Sequence, residues 1–454
     1  QCSIALLGTL ALAQGMLLLS QGPLRLTRTG SGSGNSQTIS AGILPCALAD
    51  TQALVIPEGL TDEQTAIVEQ LVRDVSMIRG LEVREPLRVG VMSVEGLQEI
   101  LLEQLELEFP PERLEGLGIV TATLGLLPPG HDIIANLEAL LTEQIGGLYD
   151  DEAKRLCLME WINLGSQTAR MILAHEINHA LQDQHFDIFN SPLHDRSNDD
   201  RSLATLAVLE GDAMVTMGEY AARYVSLGFF LEAAQLMSMD QTALTSTPRF
   251  LQGQLLFPYL AGQTFAMRAH WGPGGSFSIN DLMRHWPEST EQILHSERSL
   301  LHPATIDHPT SVEIHAEPWG VPEDWRRIES NVLGEFTIQQ VFEAPLGMRG
   351  AQDAAAGWDG DRWELWRDDE TGAAALLWST VWDTEADAGE FAAALDSLWE
   401  EVALTEVTDH EGMPAYREPC TASALLGATV HVAVWDAADG LEITLPDEEI
   451  ERRD

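Results

Sequence analysis

Residues 166–186 read SQTARMILAHEINHALQDQHF, and the fold turns on how this stretch is read. Ser166 offers a side-chain oxygen where a helix would begin, and Ala169, Leu173, Ile177, Ala180 and Leu181 recur at three- and four-residue spacing. The segment therefore predicts a helix with one apolar stripe. On that helix His175 and His179 stand one turn apart on a different face, where two imidazoles can converge on one zinc ion. Glu176 lies beside them, placed to act as a base on a water activated by the metal. Immediately upstream, GGLYDDEAKRLCLM (146–159) has apolar runs on either side of an Asp-Asp turn, the pattern of a β-hairpin. A metal-bearing helix packed against a small sheet is the implied arrangement.

A catalytic zinc site takes three protein ligands and keeps one position open, so a third ligand must come from elsewhere. The best candidate is Glu210 in LEGDA (209–213), 31 positions after His179, on a helix predicted over 203–237 and across a polar stretch (187–202) long enough to turn the chain back. Gly211 would let two helices approach closely, and Ala213 leaves room on the same face. A solvated helix carboxylate is the alternative, but Leu206, Ala207, Val208 and Leu209 are apolar, and an uncompensated carboxylate among them is costly. Asp183, one turn beyond His179, can orient a ligand imidazole. Asp212 can do the same, although its place two positions from Glu210 points it elsewhere. For both, a plain helix-surface carboxylate is an equal reading. His185 and His194 lack ligand spacing and read as surface or loop histidines.

HEINHALQD (175–183) followed by LEGDA resembles the gluzincin group of zinc metallopeptidases, over roughly residues 146–220. It is also similar to a group of bacterial and archaeal proteins with HExxHALQDQHFD, EGDA and STEQILH elements. Leu209 and Asp212 depart from the Asn-Glu-Gly-Phe-Ala element of the zinc aminopeptidases. The resemblance implies an α+β fold: a zincin-like core of a small sheet plus the motif helix, then a mainly helical lobe. It implies that His175, His179 and Glu210 bind Zn2+, and that Glu176 polarises the water and passes its proton to the leaving amine. The partner would be a peptide or protein substrate. Peptidases of this kind need an oxyanion donor. The candidates are His295 in STEQILH (289–295) and Tyr259 in FPYLAG (257–262), of which Tyr259 reads as structural. Glu291, one turn before His295, can hold its ring, which also permits a purely structural pair. Strand 155–159 can pair with an extended substrate as edge strands do. The competing reading is a catalytically idle zincin-fold protein that binds a partner or serves as an adhesin or filament component.

The chain has 454 residues, enough for two or three domains, and a 45% hydrophobic content that excludes a disordered polymer. Acidic residues outnumber basic ones 71 to 25, for a net charge of −46, which makes nucleic acid an unfavourable partner. Lys154 is the only lysine. Such a surface suits high salt, where self-repulsion is screened; Arg-rich codon usage with ordinary acidic solvation explains it equally well. Residues 3–20 carry no charge and, with the GSGSGNSQ stretch after them, read as a signal peptide or membrane anchor on a linker, which implies an extracytoplasmic body. Beyond them Cys46, Cys157 and Cys420 allow at most one disulfide. The expected layout is a leader and linker (1–40), an α+β lobe with an edge strand (41–165), a mainly helical zinc-site lobe (166–345) and a small α+β subdomain (346–454). In the last, WELWRD, AALLWSTVW and TVHVAVW predict strands and 384–402 a helix.

Overall fold

The segment RLCLM at 155–159 alternates, and its two faces build two separate cores: Leu156 and Leu158 enter one, Cys157 and Met159 the other. The computed structural model describes residues 53–144, 147–226, 245–272, 274, 276–403, 420–435 and 443–450. The stretch 3–20 and its linker lie outside the described residues. Among the described residues no helix is long and apolar enough to cross a membrane.

The architecture is α+β, as the sequence predicts. The N-terminal sheet comprises β1 (Val55–Glu58), β2 (Leu87–Met92), β3 (Gly147–Asp150) and β4 (Arg155–Met159) in the order β1-β2-β4-β3. β1, β2 and β4 are parallel, while β3 hairpins back antiparallel onto β4. Helix α1 (Asp62–Arg79) crosses between β1 and β2; a Thr61–Gln64 capping box starts it and Gly80, at φ 71°, ends it. α2 (Val94–Glu108) and α4 (Ile133–Gln144) cover one face of the sheet. α1 and the motif helix α5 (Gln167–Phe186) cover the other. The hairpin and the Ser166 cap, whose oxygen accepts from the Ala169 N–H, are as expected. The position of 155–159 is not. β4 lies inside the sheet between β2 and β3, because β2 claims its other side in parallel, and the edge strands are β1 and β3.

A second difference concerns α5. The single apolar stripe becomes a helix buried on every side from Met171 to Asp183, because α6 (Asp199–Tyr224) lies against the face that carries the histidines. α6 begins four residues before the expected start, with the Asn198 side chain accepting from the Arg201 N–H; the expected extension over 227–237 lies outside the described residues. α7 (Arg249–Trp271), α8 (Ser276–Leu282) and α9 (Thr290–Leu294) complete the helical lobe around Val208, Phe257, Phe265 and Ile293.

The C-terminal unit is a five-stranded antiparallel sheet, β5 (Arg326–Asn331), β6 (Trp358–Arg367), β7 (Ala374–Trp382), β8 (Cys420–Leu426) and β9 (Thr429–Trp435), in the order β5-β6-β7-β9-β8. α10 (Gly334–Ala355) and α11 (Glu385–Ala403) bring Phe342 and Phe391 against Trp358, Trp378 and Trp382. The expected boundary at 346 therefore moves back to the start of β5, which pairs with β6. The lobe assigned to 41–165 also gives up α3 (Pro111–Thr123): Val120, with Leu124 just after the helix, packs into the C-terminal core.

Candidate metal centre

Helix geometry puts His175 and His179 side by side, and the α5–α6 packing brings Glu210 to them. The two Nε2 atoms are 3.0 Å apart, and Glu210 Oε2 lies 3.0 Å from His175 Nε2 and 3.5 Å from His179 Nε2. All three side chains are fully buried. Gly211 makes the α6 approach to α7 close, because a Cβ there would stand 2.1 Å from the Gly262 carbonyl oxygen. The glycine thus serves a helix crossing behind the site, on the α7 side.

Two imidazole nitrogens and a carboxylate oxygen, fully buried and facing one point, are costly unless a cation joins them. Beyond the imidazoles no donor reaches either Glu210 oxygen among the described residues. Donor separations of 3.0–3.5 Å match the edges of about 3.3 Å that tetrahedral coordination gives at bond lengths of about 2.0–2.1 Å. The three residues therefore fit a metal ion. Burial pushes the Glu210 carboxyl up, but His179 and then His175 outweigh it and hold the carboxyl below its ordinary value. Burial lowers His175, favouring the neutral imidazole that a metal needs.

Glu176 lies beside the trio, also fully buried, and its Oε2 accepts the Tyr149 N–H at 3.2 Å. Burial first, and then the charge of Glu210, raise its carboxyl well above the usual range. Because the Tyr149 amide points away from β4, the outer edge of β3 is the edge turned toward the site. Tyr259 stacks on His175 with ring centroids 6.4 Å apart.

His295 is not brought to this group. Its ring is 39% exposed and bonded to Glu335 at 3.0 Å. Nor does Glu291 hold it: Glu291 pairs with Arg298 at 2.7 Å, and burial pushes its carboxyl up to about 9. Glu291, Asp307 and Asp383 also cluster, but Arg298 Nη1 lies 2.6–2.9 Å from all three and takes the place a cation would occupy. Asp183 does not orient an imidazole either. It accepts from Tyr149 Oη and Lys154 Nζ, both at 2.7 Å, tying the chain's single lysine and the β3–β4 hairpin to α5. His185 bonds to the Glu82 carbonyl and His194 to Asp151, away from the trio.

The residue that does hold an imidazole of the trio is Gln182, whose Oε1 is 2.8 Å from His179 Nδ1. Its Nε2 donates to the Leu209 carbonyl at 3.0 Å and to Asp212 Oδ2 at 2.8 Å. Asp212 is no surface carboxylate. Fully buried, it also accepts from Arg79 Nε, from Asn178 Nδ2 at 3.1 Å and from His270 Nε2 at 2.8 Å. Burial pushes its carboxyl up, but Arg79 and His270 overcome this and hold it well below the usual range. Gln182, three positions after His179 on one helix face, carried a readable signal. Arg79 and His270 did not, standing 133 and 58 positions from Asp212.

Residues 323–440, which span most of the C-terminal sheet unit, match the model of a domain of unknown function, DUF8575. No curated protein and no solved structure matches the chain.

Proposed function

We propose that this chain is a zinc-dependent peptidase of the gluzincin type, with a zincin-like core formed by the N-terminal sheet, α5 and α6. The observation that carries the reading is the convergence of His175, His179 and Glu210 at tetrahedral spacing with Glu176 alongside. Two imidazoles and one carboxylate are a donor set suited to zinc and unlike the all-oxygen cages of calcium. A zinc ion held there supplies the Lewis acidity that polarises a carbonyl and acidifies a water. Glu176 keeps Oε2 on the Tyr149 amide, and Oε1, which receives no other donor among the described residues, takes the proton of the attacking water and returns it to the leaving amine. Tyr259, whose ring stacks on that of His175, takes the place of His295 as the oxyanion donor. β3 replaces β4 as the strand that pairs with an extended peptide. An extracytoplasmic body on a leader or anchor at 3–20 belongs to the same proposal.

A second reading is an idle zincin-fold protein in which the metal only ties α5 to α6. One observation favours it: His175, Glu176, His179 and Glu210 expose no surface. Metal analysis with a peptide-library assay separates the two. The peptidase reading expects one zinc per chain, chelator-sensitive cleavage, and a Glu176→Gln variant that keeps zinc but loses cleavage. Cleavage by Glu176→Gln at the wild-type rate would sink it, and zinc without cleavage in the wild type supports the idle protein.

A further inference from the structure

We infer that Gln182 is a positioning residue of the metal centre: it fixes the tautomer of His179, so that Nε2 presents its lone pair to the metal. The inference rests on the metal-centre reading and goes beyond it by assigning a role to a neutral side chain and to the ion network behind it.

The hydrogen-bond directions around Gln182 are forced. Its Nε2 lies within hydrogen-bond distance of the Leu209 carbonyl and Asp212 Oδ2, and neither oxygen can donate. The amide nitrogen must therefore face them, which turns Oε1 toward His179 Nδ1. An amide oxygen only accepts, so Nδ1 carries the hydrogen and Nε2 is the bare nitrogen, the atom 3.0 Å from His175 Nε2. Asp212 makes this orientation durable. It is paired with Arg79 on α1 and His270 on α7, and Asn178 donates to the same oxygen as Gln182. A carboxylate in place of Gln182 would also accept from His179, but it would place a second buried negative charge against Asp212. The neutral amide passes on the orientation without that repulsion. His175 lacks such support, since no partner meets its Nδ1 among the described residues. His179 is thus the pre-set ligand of the pair.

Gln182→Met keeps the volume and removes the acceptor, while Gln182→Glu keeps the acceptor. With zinc alone as the probe, in competition with a chromophoric chelator, Gln182→Met is expected to bind about 10- to 100-fold more weakly than wild type. Gln182→Glu is expected to stay within about threefold, at lower thermal stability. Wild-type affinity in Gln182→Met overturns the inference, as does an equal loss in both variants, which would indicate packing alone. If Gln182→Met does not fold, nitrogen-15 histidine NMR of the metal-free wild type decides: a proton on His179 Nδ1 supports the inference, a proton on Nε2 overturns it. A wild-type chain that binds no divalent metal would defeat the metal-centre reading instead, and the NMR result would still test the tautomer.

Discussion

Tyr259 and Asp200 carry the clearest single-residue consequences. If Tyr259 is the oxyanion donor, Tyr259→Phe should lower kcat about a hundredfold while zinc content stays at the wild-type level. Steady-state kinetics with metal analysis checks this, and an unchanged kcat would return the tyrosine to a packing role. Asp200 accepts from the Thr290 amide and hydroxyl, yet burial pushes its carboxyl up to about 8 from an ordinary value of 3.8. The folded chain therefore holds a proton that the unfolded chain releases near pH 4. The associated stability is complete below about pH 4 and is lost as pH rises toward 8. Asp200→Asn should flatten that part of the slope, read as melting temperature against pH at fixed high salt. An identical slope in the variant would assign it to other groups.

At the scale of elements, the site depends on how three helices pack. A Cβ on Gly211 would meet the Gly262 carbonyl oxygen at 2.1 Å, and one on Gly262 would meet the Ala207 carbonyl oxygen at 2.2 Å. Backbone cannot yield as a side-chain tip does, so Gly211→Ala should separate α6 from α7 and cost about 1–3 kcal/mol. Because Glu210 is the preceding residue, zinc affinity should fall as well. Gly218→Ala is the control on the same helix, with nothing within 4 Å of its Cβ, and should stabilise by about 0.5–1 kcal/mol. Denaturant midpoints for the pair test the crossing; equal midpoints would show that the helices tolerate the methyl. The elements themselves were legible where a local signal exists: the Ser166 cap and the hairpin around the Asp-Asp turn. Strand order was not legible, since nothing within RLCLM says that β2 will occupy its other side. The burial of α5 on every side was likewise hidden, because Asp212, which meets Asn178 and Gln182, arrives from another helix together with its partners Arg79 and His270.

For the whole molecule the strongest electrostatic influence is a net charge of −46. Its repulsion acts over a Debye length that shrinks from about 10 Å at about 0.1 M salt to about 3 Å at about 1 M. The melting temperature should rise steeply over that range, with potassium chloride as effective as sodium chloride if screening is the cause; a flat response would favour ordinary acidic solvation. The sequence by itself determined the α+β class, the motif helix and the chemical identity of the trio, because helical periodicity, caps and the i, i+4 histidine pair are local properties of the chain. It also singled out Glu210, through the cost of a carboxylate among apolar neighbours. Only the tertiary structure decided that His295 turns to Glu335, that β3 rather than β4 lies at an edge, that the C-terminal unit begins at β5, and that Gln182 with Asp212 holds the His179 imidazole. Each of these is a pairing between groups brought together by folding, and such pairings are settled by how helices and strands close around a shared core, a constraint no local pattern encodes.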